Sequence, residues 1–228
     1  MDYRSIRVAL DGPSGAGKST VAKAVAAKTG LVYVDTGALY RTVGLYSIMN
    51  GIAHDDTARI IATLEKIEID LRYENGQQCV YLNGESVGSR IRTEQASLYA
   101  SAVSKIPEVR AFLLDMQKKI AQKGGVIMDG RDIGTVIIPD AEVKIFMTAT
   151  PEERARRRFK EQREKGLDVT YKEVLEAIIA RDKQDSEREA APLKPADDAI
   201  HFVNDDYGVE ESADYIILLM NKYLESRS

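Results

Sequence analysis

Gly12-Pro13-Ser14-Gly15-Ala16-Gly17-Lys18-Ser19-Thr20 is the stretch on which the fold turns. It fills every fixed position of the phosphate-binding pattern G-x-x-x-x-G-K-[ST]. Its flanks agree. Ile6-Arg7-Val8-Ala9-Leu10 is a short apolar run suited to a buried parallel strand, and residues 18–28 are rich in Ala, Val and Lys, as a helix is. Strand, glycine loop and helix in that order let backbone N–H groups turn inward around a polyphosphate. The helix N-terminus adds its partial positive charge. Lys18 then reaches the β- and γ-phosphates, and the Ser19 hydroxyl is placed to ligate Mg2+. The alternative, a glycine-rich turn with no ligand, leaves a complete pattern in its proper context unexplained. A nucleoside triphosphate is the implied ligand.

Outward from the loop the chain alternates strands and helices, which predicts a parallel sheet covered on both faces. Leu31-Val32-Tyr33-Val34-Asp35 reads as a second strand, with Thr36 capping a helix that runs to about Met49. Val126-Ile127-Met128-Asp129, Val143-Lys144-Ile145-Phe146-Met147 and Ile200-His201-Phe202-Val203 read as three more strands. Residues 209–224 read as a closing helix. The expectation is one α/β domain in three layers, α/β/α, around a five-stranded parallel sheet.

Composition narrows the partners. The 228 residues hold 32 Lys and Arg against 36 Asp and Glu, a formal charge of −4 with a pI near 5.4. An acidic chain suits no nucleic-acid polymer, so its basic residues are expected to serve local phosphates. Cys79 is the single cysteine, and His54 and His201 lie far apart, which leaves neither a disulfide nor a zinc-ligand pattern. The chain enters a strand within a few residues, without a signal-peptide pattern, and no apolar run approaches a membrane span. A cytoplasmic enzyme with no membrane partner is expected.

Two regions depart from the alternating pattern. Ile67-Glu68-Ile69-Asp70-Leu71-Arg72-Tyr73 and Cys79-Val80-Tyr81-Leu82 are followed by Asn75-Gly76 and Asn83-Gly84, which signals an antiparallel β insert. From 150 to about 190 the chain is charged and helical. Thr150-Pro151-Glu152-Glu153 and Thr170-Tyr171-Lys172-Glu173 read as capping boxes with Gly166 between the helices. A charged hairpin with little apolar area to anchor it reads as a lid.

The chemistry surrounds the loop. Asp129 ends an apolar strand, where a carboxylate meets Mg2+ directly or through water. Gly130-Arg131-Asp132 follows at the edge where open α/β sheets bind ligands. Arg181, Asp185 and Arg188, at i, i+4 and i+7, fall on one helical face, as do Arg154, Arg157 and Arg158 one helix earlier. On spacing alone both rows read equally well as solvated ion pairs, the first among its own Arg and Asp, the second with Glu152, Glu153 and Glu161 as partners. Arg41 has no partner readable from the sequence and reads as a surface residue.

Together these motifs resemble the bacterial-type cytidylate kinases, a family of nucleoside-monophosphate kinases. The resemblance runs from Gly12–Thr20 through Asp35-Thr36-Gly37-Ala38-Leu39-Tyr40-Arg41, Ile91-Arg92-Thr93 and Pro107-Glu108-Val109-Arg110. It continues through Asp129-Gly130-Arg131-Asp132-Ile133-Gly134-Thr135-Val136 and Arg181-Asp182-Lys183-Gln184-Asp185, then Arg188 and Ala191-Pro192-Leu193. The insert at 67–88 is typical of the family. Ser19 stands where many members carry Gly, and Thr36 where many carry Ser, so the Ser19 hydroxyl is not the family's only hold on Mg2+.

The resemblance implies transfer of a phosphoryl group from ATP to CMP or dCMP, giving CDP or dCDP, in pyrimidine nucleotide metabolism. It assigns Gly12, Pro13, Ser14, Gly15, Ala16, Gly17, Lys18, Ser19, Thr20 and the lid's Arg157 to ATP, with Arg154 and Arg158 beside it. Arg41, Arg131, Arg181 and Arg188 take the CMP phosphate, Thr36 also belongs to the CMP site, and Lys18, Arg131 and Arg188 form the catalytic set. Ser101, Arg110 and Asp132 read cytosine, Asp185 takes the sugar hydroxyls, and Ser19 and Asp129 hold Mg2+. It further implies a monomer, with a core at about 1–37, 106–152 and 189–228. The acceptor-binding segment is at about 38–105 and the lid at about 153–188.

Two other readings compete. A regulatory switch protein with the same loop needs a guanine-reading Asn-Lys-x-Asp, and the nearest string, Asn221-Lys222-Tyr223-Leu224, lacks the Asp. A kinase of the same fold acting on UMP or AMP differs only in acceptor chemistry, which assays across the monophosphates separate.

Overall fold

In the computed structural model, residues 2–74 and 77–227 are described. The chain divides into two compact units, residues 1–32 with 123–228, and residues 33–122.

The first unit carries the sheet. Strand β1 (Arg7–Asp11) leads through the loop into α1 (Lys18–Thr29), and the chain then enters β2 (Val32–Asp35). Beyond the second unit lie β6 (Val126–Gly130), β7 (Val143–Thr148), α6 (Pro151–Glu164), α7 (Tyr171–Glu187), β8 (Ile200–Val203) and α8 (Val209–Glu225). The five strands form one parallel sheet in the order β2-β6-β1-β7-β8. Val8, Ala9 and Leu10 are fully buried, because β1 lies between two neighbours with both faces covered. The register sets Leu10 beside Asp129 and Asp11 beside Gly130. The glycine loop and the Gly130-Arg131-Asp132 segment therefore leave adjacent strands at the same sheet edge. All five expected strands are present, with ends shifted by a residue or two.

The second unit holds α2 (Thr36–Met49), α3 (Thr57–Thr63), α4 (Glu94–Val103), α5 (Pro107–Ala121) and a small antiparallel sheet. That sheet joins β3 (Ile69–Glu74), β4 (Gln77–Leu82) and β5 (Glu85–Ser86) in order. The predicted insert is present. Asn83 and Gly84 both take positive φ, 50° and 84°, which a tight hairpin turn requires. The Asn75-Gly76 turn lies outside the described residues. The apolar core runs through Leu39, Val43, Ile60, Val103, Val109 and Leu113. Helices α3, α4 and α5 were not assigned from the sequence.

Two local expectations are corrected. Thr36 does not cap α2: it is the first helical residue, and the Asp35 carboxylate takes the cap by accepting from the Ala38 N–H at 3.0 Å. Arg188 does not continue the helical face of Arg181 and Asp185. Helix α7 ends at Glu187, and Arg188 turns to extended backbone with ψ 139°. Leu193 then bonds back to the Asp185 carbonyl, so the turn rather than the helical period places Arg188. The hairpin of α6 and α7 has its own small core of Ala155, Val174 and Ile178. Thr170 and Glu173 complete the predicted capping box, whereas at α6 Thr150 accepts from the Glu153 N–H.

Candidate active site

The glycine loop is shaped by a contact that tolerates only glycine. At Gly12, φ is +148°, and a Cβ there would stand 1.9 Å from the Met147 carbonyl oxygen. Lys18 opens α1 and is buried, its Nζ donating to the Gly12 and Pro13 carbonyls at 2.8 Å each. Burial, and then the charge of Arg131, pulls its pKa down to about 7, against the attraction of Asp129, Asp11 and Asp185. Ser19 Oγ donates to Asp129 Oδ2 at 2.5 Å, and that carboxylate is buried near the end of β6. A hydroxyl and a carboxylate, both offering oxygen ligands, fit Mg2+, and Ser19 and Asp129 are the residues that would hold it.

Two side chains hold the loop from outside. Arg154 Nη1 donates to the Ser14 carbonyl at 3.2 Å, and Asn204 Nδ2 to the Ala16 carbonyl at 3.0 Å. Arg154 is almost fully buried and is committed to Asp182 through two bonds, 2.9 and 2.7 Å. Arg157 leans on Glu153 and on the Asn204 carbonyl, and a Cβ at Gly17 would come within 3.7 Å of its Nη1. Among the arginines of α6, Arg157 stands beside the loop and Arg154 ties the loop to α7.

The second cluster in this unit gathers guanidinium groups about buried carboxylates. Arg131 Nε donates to Asp185 Oδ2 at 2.9 Å, and Arg181 Nε lies 3.9 Å from the same oxygen. Arg188 Nη2 is 3.5 Å from Asp132 Oδ1, while its Nε donates to the Ala191 carbonyl at 2.6 Å. Ala191 holds φ at +50°, a conformation that costs a non-glycine residue energy and bends the chain back toward Arg188. Burial opposes ionisation of Asp185, but Arg131, Arg181 and Arg188 outweigh it and hold its carboxyl below the usual range. Three guanidinium groups against two carboxylates leave this cluster positive. That charge suits a phosphate gripped by planar forks.

In the second unit, Arg41 is not a bare surface residue. Its Nη2 donates to Asp35 Oδ2 at 2.6 Å, and its Nε is buried with no hydrogen-bond partner among the described residues. A Cβ at Gly37 would press to 3.1 Å from Arg41 Nη1, so the glycine leaves room for the guanidinium. Thr36 is buried at the start of α2, and Ser101 lies on α4. Arg110, on α5, donates to the Ser104 carbonyl at 3.3 Å and sits 5.7 Å over the Tyr40 ring.

The family profile described as cytidylate kinase matches residues 8–222. The chain belongs to the cytidylate kinase family. A protein of Caldicellulosiruptor bescii named cytidylate kinase is 47% identical over 223 residues, covering 98% of this chain and 99% of its own length. A second, from Thermosipho africanus, is 49% identical over 220 residues, covering 96% and 93%. Among solved structures, an uncharacterized protein from Eubacterium ventriosum superposes with a TM-score of 0.53 at 13% identity, covering 96% and 99%. That likeness speaks for the fold alone.

Three polar residues of this kinase escaped the sequence reading. Asp11 accepts from the Ile133 and Gly134 N–H groups at 2.8 and 2.7 Å, capping a single π-helical turn (Ile133–Ile137) just after Asp132. Asp182 anchors Arg154, and Asn204 grips the loop at Ala16. The signal for Asp11 was a carboxylate ending an otherwise apolar strand, the cue that singled out Asp129. Asn204 follows the last strand in the same way. Asp182 sits inside the Arg181-to-Asp185 motif and carried no cue of its own.

Proposed function

We propose that this kinase transfers the γ-phosphoryl group of ATP to CMP and dCMP, giving CDP or dCDP and ADP, in pyrimidine nucleotide metabolism. The observation that carries the reading is the positive cluster of Arg131, Arg181 and Arg188 about Asp185, which the pairing of Asp11 with Gly130 and the Ser19–Asp129 bond set beside the glycine loop. Two phosphate-binding centres side by side fit a donor and an acceptor.

Phosphoryl transfer needs in-line positioning and offset charge rather than covalent help from the protein. Gly12–Thr20 wraps the ATP phosphates and Lys18 leaves its carbonyl contacts for them, with Arg157 on the lid side. Ser19 and Asp129 would hold Mg2+, which offsets charge on the β- and γ-phosphates when bound. Arg131, Arg181 and Arg188 grip the CMP phosphate, with Thr36 and Arg41 assigned to the same ligand by the family pattern. Asp185 takes the sugar hydroxyls. Ser101, Arg110 and Asp132 read the base: an ionised carboxylate accepts from the cytosine amino group, and a guanidinium donates to the ring nitrogen. The division into core, acceptor-binding segment at about 38–105 and lid at about 153–188 belongs to this reading. The lid's task is to exclude water, which would otherwise take the phosphoryl group. A monomer in the cytosol goes with it, and no helix of the described residues is long and apolar enough to cross a membrane.

The test is phosphorylation of CMP, dCMP, UMP and AMP at saturating ATP. Uracil turns both base contacts into mismatches, so CMP is expected to exceed UMP by at least ~100-fold in kcat/KM, about 2.7 kcal/mol. Asp132→Ala should lower CMP turnover and narrow that ratio. UMP or AMP turned over as well as CMP would overturn the acceptor assignment.

A further inference from the structure

The β insert has no part in the chemistry just described, yet one of its side chains reaches the residue that holds Arg41. Gln78 lies on β4, opposite Tyr73 on β3. Its Oε1 accepts from the Asp35 N–H at 2.8 Å, and its Nε2 donates to the Asp35 carbonyl at 3.3 Å. One amide side chain thus engages both backbone groups of a single residue, as a neighbouring strand would. Tyr73 adds a third hold, its hydroxyl donating to the Tyr33 carbonyl at 3.3 Å. Asp35 is the hinge of this arrangement. One carboxylate oxygen caps α2 at Ala38 and the other takes Arg41 Nη2 at 2.6 Å.

We propose that Gln78 is a positioning residue for the acceptor site: it fixes the backbone of Asp35, and Asp35 aims the Arg41 guanidinium. The proposal rests on the reading of Arg41 as a CMP-phosphate ligand, and gives the insert a task in acceptor binding. The physical argument is one of pre-organisation. Asp35 ends β2 and begins α2 with no intervening loop, so a small rotation there swings Arg41, six residues on, through its ion pair. Gln78 removes that freedom before substrate arrives. Arg41 Nε, buried and unpartnered among the described residues, is left for an incoming anion that brings its own acceptor. Gly37 completes the arrangement by leaving space over which the guanidinium folds. Ordering paid on folding is not paid again on binding, so the gain shows in affinity for the acceptor.

The experiment compares Gln78→Ala, Arg41→Met and the double variant, each with steady-state constants for CMP and ATP and a melting curve. Gln78 is only half-buried, so its truncation leaves the insert's apolar residues in place. We expect Gln78→Ala to raise KM for CMP about tenfold, the scale of one lost hydrogen-bonded restraint, with KM for ATP and kcat within twofold. Arg41→Met should raise KM for CMP further, and adding Gln78→Ala to it should change KM by less than twofold, since the two act in series. An unchanged KM for CMP in Gln78→Ala, or the same tenfold factor in the Arg41→Met background, overturns the proposal and leaves the acceptor reading standing. Arg41→Met with normal KM for CMP removes the reading of Arg41 itself, and the proposal with it.

Discussion

Asp11 is fully enclosed, and its two oxygens face the N–H groups of Ile133 and Gly134. Burial pushes its pKa up to about 6, with Asp132 adding to the rise while the two N–H groups and Lys18 oppose it. A folded pKa above the unfolded one means that the native protein holds a proton the unfolded chain has released. The stability this group contributes is therefore full below its ordinary value of 3.8 and is lost as pH rises through about 6. The loss is on the order of 3 kcal/mol. Asp11→Asn removes the titration. We expect the unfolding free energy of the native sequence, measured in urea relative to Asp11→Asn, to fall by that order from about pH 4 to about pH 7. Taking the difference cancels the opposite trend of carboxylates held low by arginine, such as Asp185. A level difference would mean that Asp11 stays ionised throughout. The native protein accepts this cost because an ionised Asp11 caps the turn that follows Arg131 and Asp132.

Among the elements, α2 and α4 pack together at Gly44 with no room for a side chain. A Cβ there would meet Tyr99 Cβ at 2.7 Å and the Ala100 nitrogen at 3.3 Å. Helix propensity favours Gly44→Ala by ~1 kcal/mol, whereas overpacking costs ~1–3 kcal/mol, and a contact of 2.7 Å with another Cβ puts the cost in the upper part of that range, ~2–3 kcal/mol. The obstacle is backbone and a Cβ, neither of which swings aside, so the clash wins. We expect a net loss of about 1–2 kcal/mol and a melting temperature lower by roughly 2–8 °C. Because α4 carries Ser101, the variant should also weaken CMP more than ATP. Unchanged melting would show that α4 slides away without cost. Elements were legible in the sequence where one period ran unbroken, as in β1, β6 and α8. They were lost where caps and packing set the limits. Asp35 displaced Thr36 as the cap because its side chain reaches forward to accept from the Ala38 N–H, and Thr36 lay inside the helix.

For the whole molecule, the central question is how labour divides between the glycine loop and the arginine cluster. Arg188→Met keeps the apolar bulk, removes one guanidinium and leaves Asp132 without that partner. We expect weaker CMP binding by roughly 1.5–3 kcal/mol with ATP affinity nearly unchanged, measured by calorimetry for each nucleotide separately. Equal losses for both would mean that Arg188 supports the entire first unit rather than the acceptor. The sequence by itself determined the glycine loop, the parallel sheet, the β insert and the family, since each is written in contiguous residues whose spacing mirrors local geometry. Tertiary structure alone decided which charges meet. Arg131 finds Asp185, Arg154 finds Asp182 and Arg188 finds Asp132. Those pairs join residues 54, 28 and 56 apart along the chain. A local period carries no record of such meetings, because ion pairs follow distance in space and burial rather than order along the chain.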